Sequence, residues 1–373
     1  MPREKVVAAM SGGVDSSVAA FLLKEAGYDV VGVTMRLHTP DDPYASGEAK
    51  RCCSVDDVSD AQQAAAAIGI PHYVINFERE FKSSVIDYFV DEYAQGRTPH
   101  PCIACNNKVK FDPLLERAKA IGARYLATGH YARVAKAGER HHLLKAVDPS
   151  KDQSYVLYGL GQSELSRTLL PIGDYPKDEI RRIAERAGLP NANKPDSQDI
   201  CFVPNGDYRG FVAKFLKPQP GAIVDTEGRT LGGHQGIVNF TIGQRKSLGI
   251  PGQEAKYVVG IDAARQTVVI GGKDALLSDT LWAKDLRWVS GTPPVDGTRV
   301  TAKYRYKSPE AAAQLFEDGT VTTGVPLEVF EILEGQDEFD KAFQDAISED
   351  AVEDAVIDAN AEEKAGEFQD LER

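Results

Sequence analysis

Three short stretches hold residues whose types and spacing could do chemistry. The first is Ser11-Gly12-Gly13-Val14-Asp15-Ser16-Ser17, directly after the apolar run Lys5-Val6-Val7-Ala8-Ala9-Met10. Its glycines let backbone N–H groups approach an anion, Ser16 and Ser17 add hydroxyl donors, and a helix starting here would favour negative charge at its N-terminus. The string is neither a Walker A loop nor a G-x-G-x-x-G loop, and Gly272-Lys273 is followed by Asp274. A lone Gly-Gly is usually only a turn; the full string after a first strand points instead to a phosphate cradle.

The other two stretches carry cysteine. Five cysteines are an odd number and too few to staple 373 residues, so they point to chemistry or metal in a reducing compartment. In Arg97-Thr98-Pro99-His100-Pro101-Cys102-Ile103-Ala104-Cys105-Asn106 two prolines stiffen the approach to a C-x-x-C. Lys108, Lys110 and a helix N-terminus are expected to lower the pKa of Cys105 and favour its nucleophilic thiolate. A zinc site would need two further ligands, and a second C-x-x-C is absent from the sequence; Cys52-Cys53 could supply them but reads as a pair of partly buried structural thiols. Cys201, between Ile200 and Phe202, would alone be a small buried hydrophobe. In the company of the other two stretches it is a candidate sulfur carrier.

Alternating elements position these residues. Strands are expected at Lys5–Met10, Asp29–Met35, His72–Phe77 and Tyr125–Thr128, with helices from Ser16, at Val55–Ile68, Phe81–Tyr93, Pro113–Ile121 and Lys177–Ala187. That order predicts an α/β fold, a doubly wound parallel sheet with helices on both faces, whose ligands bind beyond the carboxyl ends of the strands. The loop 11–17, the segment after Met35 and residues 129–131 would meet there. From about Phe202 turn residues become frequent and short alternating strands take over, as at Lys256–Gly260, Gln266–Ile270, Arg299–Tyr306 and Pro326–Leu333. The expected domains are 1–204 (catalytic), 205–280 (small, β-rich, central), 281–333 (C-terminal β-barrel) and 334–373 (an acidic tail).

Hydrophobic residues at 42% and charged residues at 27% exclude a fully disordered, collagen-like or membrane-embedded chain. No apolar run reaches the roughly 18 residues of a membrane span, and the N-terminus enters a strand without the pattern of a signal peptide. A cytoplasmic chain is expected. The net charge of −13 argues against an RNA partner until it is divided: 15 acidic and 3 basic residues lie between Glu334 and Arg373. The body is therefore near neutral, and a locally basic face for RNA remains open. The tail reads as a solvated acidic extension, disordered or helical.

The first stretch resembles the PP-loop of the ATP pyrophosphatases, which split ATP between its α and β phosphates. The match narrows with six segments in order over about residues 5–310: 9–17, 98–106, 127–132, 151–155, 194–202 and 239–245. Together they are similar to the tRNA-specific 2-thiouridylases. That resemblance implies ATP bound by Ala9, Met10, Ser11, Gly12, Gly13, Val14, Asp15, Ser16, Met35 and Gly129, with Asp15 helping to hold Mg²⁺. It implies Cys105 as nucleophile and Cys201 as persulfide carrier, the two closing a transient disulfide. His100, Pro101 and Cys102 would line the target base. His130, Lys151, Asp152, Gln153, Tyr304 and Arg305 would touch a tRNA with a wobble uridine. It also implies a sulfur donor, a persulfide relay from a cysteine desulfurase, and a monomer. Cys102 stands where several family members have an acid, His100 where Asn is usual, and the family's closing Pro-Gly-Gln segment is not recognisable after Gly324.

Other readings compete. Cys102, Cys105 and Cys201 could hold an iron–sulfur cluster. A PP-loop amidating ligase acting on a small molecule would need no cysteine pair. A non-enzymatic metal-binding RNA adaptor would need no ATP. A thioredoxin-type oxidoreductase fits poorly, because its C-x-x-C belongs at an early strand-to-helix junction of a small domain.

Overall fold

A computed structural model describes residues 3–37, 55–196, 200–203, 206–250, 255–303 and 310–328. Expectations for Cys52-Cys53, for Tyr304 and Arg305, and for the tail 334–373 lie outside the described residues. Contacts divide the described residues into two compact units: one from those of 3–91, 99–215 and 287–292, the other from those of 92–98, 216–286 and 293–328.

In the first unit the strands are β1 (Lys5–Ala9), β2 (Asp29–Arg36), β3 (His72–Asn76), β4 (Tyr125–Ala127), β5 (Ala132–Ala137), β6 (Arg140–Lys145) and β7 (Thr168–Leu169). Five of them form one sheet in the order β3-β2-β1-β4-β7, all neighbours parallel; β5 and β6 make a separate antiparallel hairpin. The apolar run Val30–Met35 in β2 is buried throughout, as a strand covered on both faces must be. Val6, Ala8 and Met10 share one face and pack with Ala20 and Leu23 of α1 (Val14–Glu25) and with Ala61, Ala64 and Ala65 of α2 (Val55–Ile68). Small residues on α2 let it lie close to the sheet.

Two helical rods come next. The first runs through α3 (Glu78–Phe81), a π-helical turn at Lys82–Ile86 and α4 (Asp87–Ala94). The second runs through α5 (Pro101–Cys105) and a π-helical turn at Asn106–Phe111 to α6 (Pro113–Ala120). The unit is completed by α7 (Gln162–Leu165), α8 (Lys177–Arg186) and α9 (Tyr208–Val212). On α8, Ile180, Ile183 and Ala184 face a buried cluster with Val14, Val18 and Ala19 of α1, so α8 crosses directly behind the start of α1.

The second unit is built from β-strands. A four-stranded sheet joins β8 (Gly221–Asp225), β9 (Thr230–His234), β10 (Tyr257–Asp262) and β11 (Thr267–Gly271) around Ile223, Val258, Val268 and Ile270. Another joins β12 (Leu277–Trp282), β13 (Thr298–Ala302), β14 (Ala311–Leu315) and β15 (Thr320–Glu328), all antiparallel. The parallel α/β sheet succeeded by β-rich structure is the fold class read from the sequence.

Candidate active site

The loop that opens α1 is fixed by its own backbone. Beyond Ala9, the last residue of β1, the Met10 N–H donates to the Val33 carbonyl at 2.8 Å and the Met10 carbonyl accepts from Thr34 Oγ1 at 2.7 Å. Met35 lies buried on the neighbouring strand. Gly12 takes φ +78°, and a Cβ there would lie 2.3 Å from the Asp57 carbonyl oxygen in α2; glycine meets both demands. Ser16 Oγ accepts from the Ser11 N–H and donates to the Gly13 carbonyl, both at 3.1 Å, and Ser17 Oγ donates to the same carbonyl at 3.1 Å. The buried Asn191 amide donates to the Gly12 carbonyl at 3.0 Å and to Ser17 Oγ at 2.9 Å. With its carbonyls held by internal donors, the loop leads into the positive end of the α1 dipole, where Val14 and Asp15 start the helix. Gly129 arrives from β4: a Cβ there would stand 2.6 Å from the Ser16 nitrogen and 2.8 Å from the Asp15 carbonyl carbon. Of the three loops expected to meet, 11–17 and 129–131 do so; the segment after Leu37, the third, lies outside the described residues.

Asp15 is the centre of a charged network. Its carboxylate accepts from Tyr131 OH at 2.8 Å and from Lys177 Nζ at 2.8 and 2.9 Å. Burial and the Asp15 charge push the Tyr131 hydroxyl far above its ordinary pKa, so it stays a donor. Lys177 is itself nearly buried and also contacts Asp196 at 2.7 Å. Asp196 further accepts from Lys151 and from Arg181, both at 3.0 Å. Burial would raise the Asp196 pKa, but the hydrogen bonds from Lys177 and Lys151 outweigh it and hold the carboxyl below its usual range. Lys194 bonds Asp57 and Asp60 of α2 at 2.6 Å each, tying the 190–196 segment to the helix that touches Gly12.

As a site for Mg²⁺ the geometry offers one protein carboxylate, Asp15. Among the described residues no three His, Cys, Asp or Glu side chains group around a common point. One carboxylate beside a phosphate loop fits Mg²⁺, which takes its other oxygens from phosphates and water. The iron–sulfur reading gains no geometric support among the described residues.

The second stretch forms α5. Pro101 opens it and is buried, Cys102 is exposed, and Cys105 is buried at its last residue. The helical path continues from Cys105 into the π-helical turn, so this cysteine lies inside a rod rather than at a helix N-terminus. The expectation that a helix dipole activates Cys105 is corrected by that geometry; Cys102 occupies the first turn instead. His100 packs edge-on against Tyr155 with centroids 5.7 Å apart, and burial lowers its pKa, keeping the ring neutral. His100 Nδ1 and the Asn106 and Asn107 side-chain oxygens are buried with no hydrogen-bond partner among the described residues.

Cys201 is half-buried. The next residue, Phe202, stacks edge-on against Phe81 at 5.7 Å and Phe89 at 5.1 Å. Phe81 and Phe89 flank the π-helical turn Lys82–Ile86, and α5 packs on that same turn. One helical rod thus backs both cysteine-bearing segments. The residues expected at RNA face inward to a degree the sequence does not reveal. His130 is buried with Nδ1 2.7 Å from Thr128 Oγ1, Asp152 accepts from the Ala146 and Ser154 N–H groups, and Gln153 Oε1 accepts from the Tyr131 N–H at 2.9 Å. Lys151, Asp152 and Gln153 are each half-buried, with the Lys151 side chain 36% exposed.

Known proteins share this combination of segments. A family model described as the tRNA methyl transferase HUP domain matches residues 4–205, and one described as the tRNA methyl transferase PRC-barrel domain matches residues 209–272. The tRNA-specific 2-thiouridylase of Lachnoclostridium phytofermentans is 51% identical over 306 residues, 81% of this chain and 86% of that protein. The tRNA-specific 2-thiouridylase of Solibacter usitatus is 48% identical over 326 residues, 84% of this chain and 88% of that one. This chain belongs to the tRNA-specific 2-thiouridylase family. Among solved structures, an NMN synthetase from Francisella tularensis is 18% identical over 52% of this chain and 67% of that chain, with a TM-score of 0.32.

For a member of this family, sequence reasoning missed four residues at the loop: Tyr131, Lys177, Asn191 and Asp196. Lys177 carried a signal. A lysine at the first position of a helix opposes the helix dipole, and this one is offset by the Asp15 and Asp196 carboxylates.

Proposed function

We propose that the protein thiolates the wobble uridine of tRNA at C2, using ATP to activate the oxygen that leaves. ATP would be held at Ala9–Ser16 with Met35 and Gly129. Mg²⁺ at Asp15 would neutralise charge on the departing pyrophosphate. The start of α1 offers N–H groups and a helix dipole to the same charge.

A uracil C2 carbonyl is a poor electrophile, and its oxygen is a poor leaving group. Transfer of AMP to that oxygen remedies both. The terminal sulfur of a Cys201 persulfide then attacks C2 and AMP departs. The Cys105 thiolate attacks Cys201 Sγ, breaking the bond to the transferred sulfur and leaving 2-thiouridine with a Cys105–Cys201 disulfide. An external dithiol must reduce that disulfide before the next turnover. Alternatively, Cys105 attacks the persulfide first and releases hydrosulfide as the nucleophile. His100, Pro101 and Cys102 would line the base, and Lys151 with neighbouring residues would grip RNA phosphates.

The observation that carries this reading is that one helical rod backs both α5 and the Phe202 anchor, within the unit that holds the phosphate loop. The family models are described as methyl transferases, whereas the curated relatives are named thiouridylases. Methyl transfer would require neither a phosphate loop nor paired cysteines, which favours thiolation. The division at 204, 280 and 333 remains our proposed domain organisation; the parallel sheet ends before 204, whereas the first compact unit continues to residue 215 and strand β12 spans residue 280.

The test separates the two half-reactions. Cys201→Ser and Cys105→Ser should keep tRNA-dependent pyrophosphate release while thiolation falls at least about 10³-fold, the scale on which a covalent group is lost. Full thiolation by Cys201→Ser would favour the amidating-ligase chemistry instead.

A further inference from the structure

We propose that Asp196 is a positioning residue that makes the RNA contact at Lys151 and the cation site at Asp15 one linked system. Lys177 caps Asp15 until an RNA phosphate takes Lys151, so Mg·ATP and tRNA raise each other's affinity. The inference rests on the function proposed above for the loop and for Lys151, and goes beyond it.

The bonds form a continuous path. Lys151 Nζ lies 3.0 Å from Asp196 Oδ2, Asp196 Oδ1 lies 2.7 Å from Lys177 Nζ, and Lys177 Nζ lies 2.8 Å from Asp15 Oδ1. The Lys177 side chain is 9% exposed and that of Lys151 is 36% exposed. An anion from solvent therefore reaches Lys151 at one end of the path, while Lys177 stays inside. Lys177 Nζ meets both Asp15 oxygens, and a divalent cation needs at least one of them. The ammonium is thus an internal competitor for the nucleotide's metal.

Asp196 shares its charge among Lys151, Lys177 and Arg181. When a phosphate draws Lys151 away, Asp196 loses one of three cations and attracts Lys177 more strongly, at the expense of Asp15. A second route runs in parallel. Gln153 accepts from the Tyr131 N–H and donates its own N–H to the Tyr131 carbonyl at 2.7 Å, and Tyr131 OH holds Asp15. Residues 151–153 therefore reach the same carboxylate twice. Affinity coupling of this kind is reciprocal, and typical values are about fivefold or more.

The experiment measures binding of α,β-methylene-ATP with Mg²⁺, with and without an unmodified tRNA transcript carrying a wobble uridine. The native protein should bind the analogue at least about fivefold more tightly when tRNA is present. Asp196→Asn, which cannot pull on Lys177 with a full charge, should still bind each ligand but lose that enhancement. Lys151→Gln changes a partly exposed side chain and leaves Asp196 one cation short. Without any tRNA it should bind the analogue about as tightly as the native protein does with tRNA. Native protein that binds both ligands with no enhancement would overturn the linkage and leave the proposed function standing, as would a Lys151→Gln variant with native RNA-free affinity. Native protein that binds neither ligand would overturn both.

Discussion

At the residue scale, burial sets protonation more firmly than sequence position does. His130 is enclosed, and desolvation together with the Lys110 charge pushes its pKa well below the ordinary histidine value. Its unfolded counterpart takes a proton near pH 6.5. The unfolded chain therefore binds more protons over the range beneath that value. Stability from this residue is fully present above about pH 6.5 and is lost as the pH falls. His72 and His100, also depressed by burial, act in the same direction. In melting temperatures recorded from pH 7.5 to 5.0, His130→Gln should decline less steeply than the native protein; a steeper decline would contradict the assignment. None of this was legible in the sequence, where the family resemblance makes His130 an RNA contact and nothing signals its burial. The motif residues of the loop were legible because their requirements are local: a left-handed backbone at Gly12 and hydroxyls one turn into α1. The partners of Asp15 come from Tyr131 and Lys177, 116 and 162 positions away in the chain, beyond the reach of any periodicity.

At the element scale, the helices carry the cysteines, and their irregularities are informative. Sequence periodicity gives a regular helix over 81–93, whereas the chain inserts a π-helical turn at Lys82–Ile86, and another directly after Cys105. A π-helical turn adds one residue per turn and rotates the remainder of its rod, and such turns cluster at functional sites. They leave no apolar-spacing signature that separates them from an α-helix, so the sequence could not place them. Phe202 is the element-level anchor for Cys201, buried among Phe81, Phe89 and Phe211. Phe202→Ala should cost about 3–5 kcal/mol of stability. Because the lost contacts hold Cys201 rather than the phosphate loop, thiolation should fall by at least tenfold more than pyrophosphate release. Equal losses in the two half-reactions would argue against that division of labour.

At the scale of the whole molecule, the change from α/β to β-rich architecture was legible in the sequence, since turn density and strand alternation shift together near residue 205. So was the placement of charge: 15 acidic residues against 3 basic ones after Leu333, with a nearly neutral remainder. Removing residues 334–373 should therefore tighten tRNA binding several-fold at low ionic strength. The gain should disappear near 1 M salt, where the Debye length shrinks to about 3 Å; a gain that persists there would mean a contact rather than a field effect. The central claim is chemical, and nucleoside mass spectrometry tests it most directly. Wobble-uridine tRNA is incubated with the protein, ATP, Mg²⁺, a persulfide donor and a dithiol. The account predicts 2-thiouridine formed in step with AMP, and none from Cys201→Ser. ATP consumed while the uridine remains unmodified would contradict it.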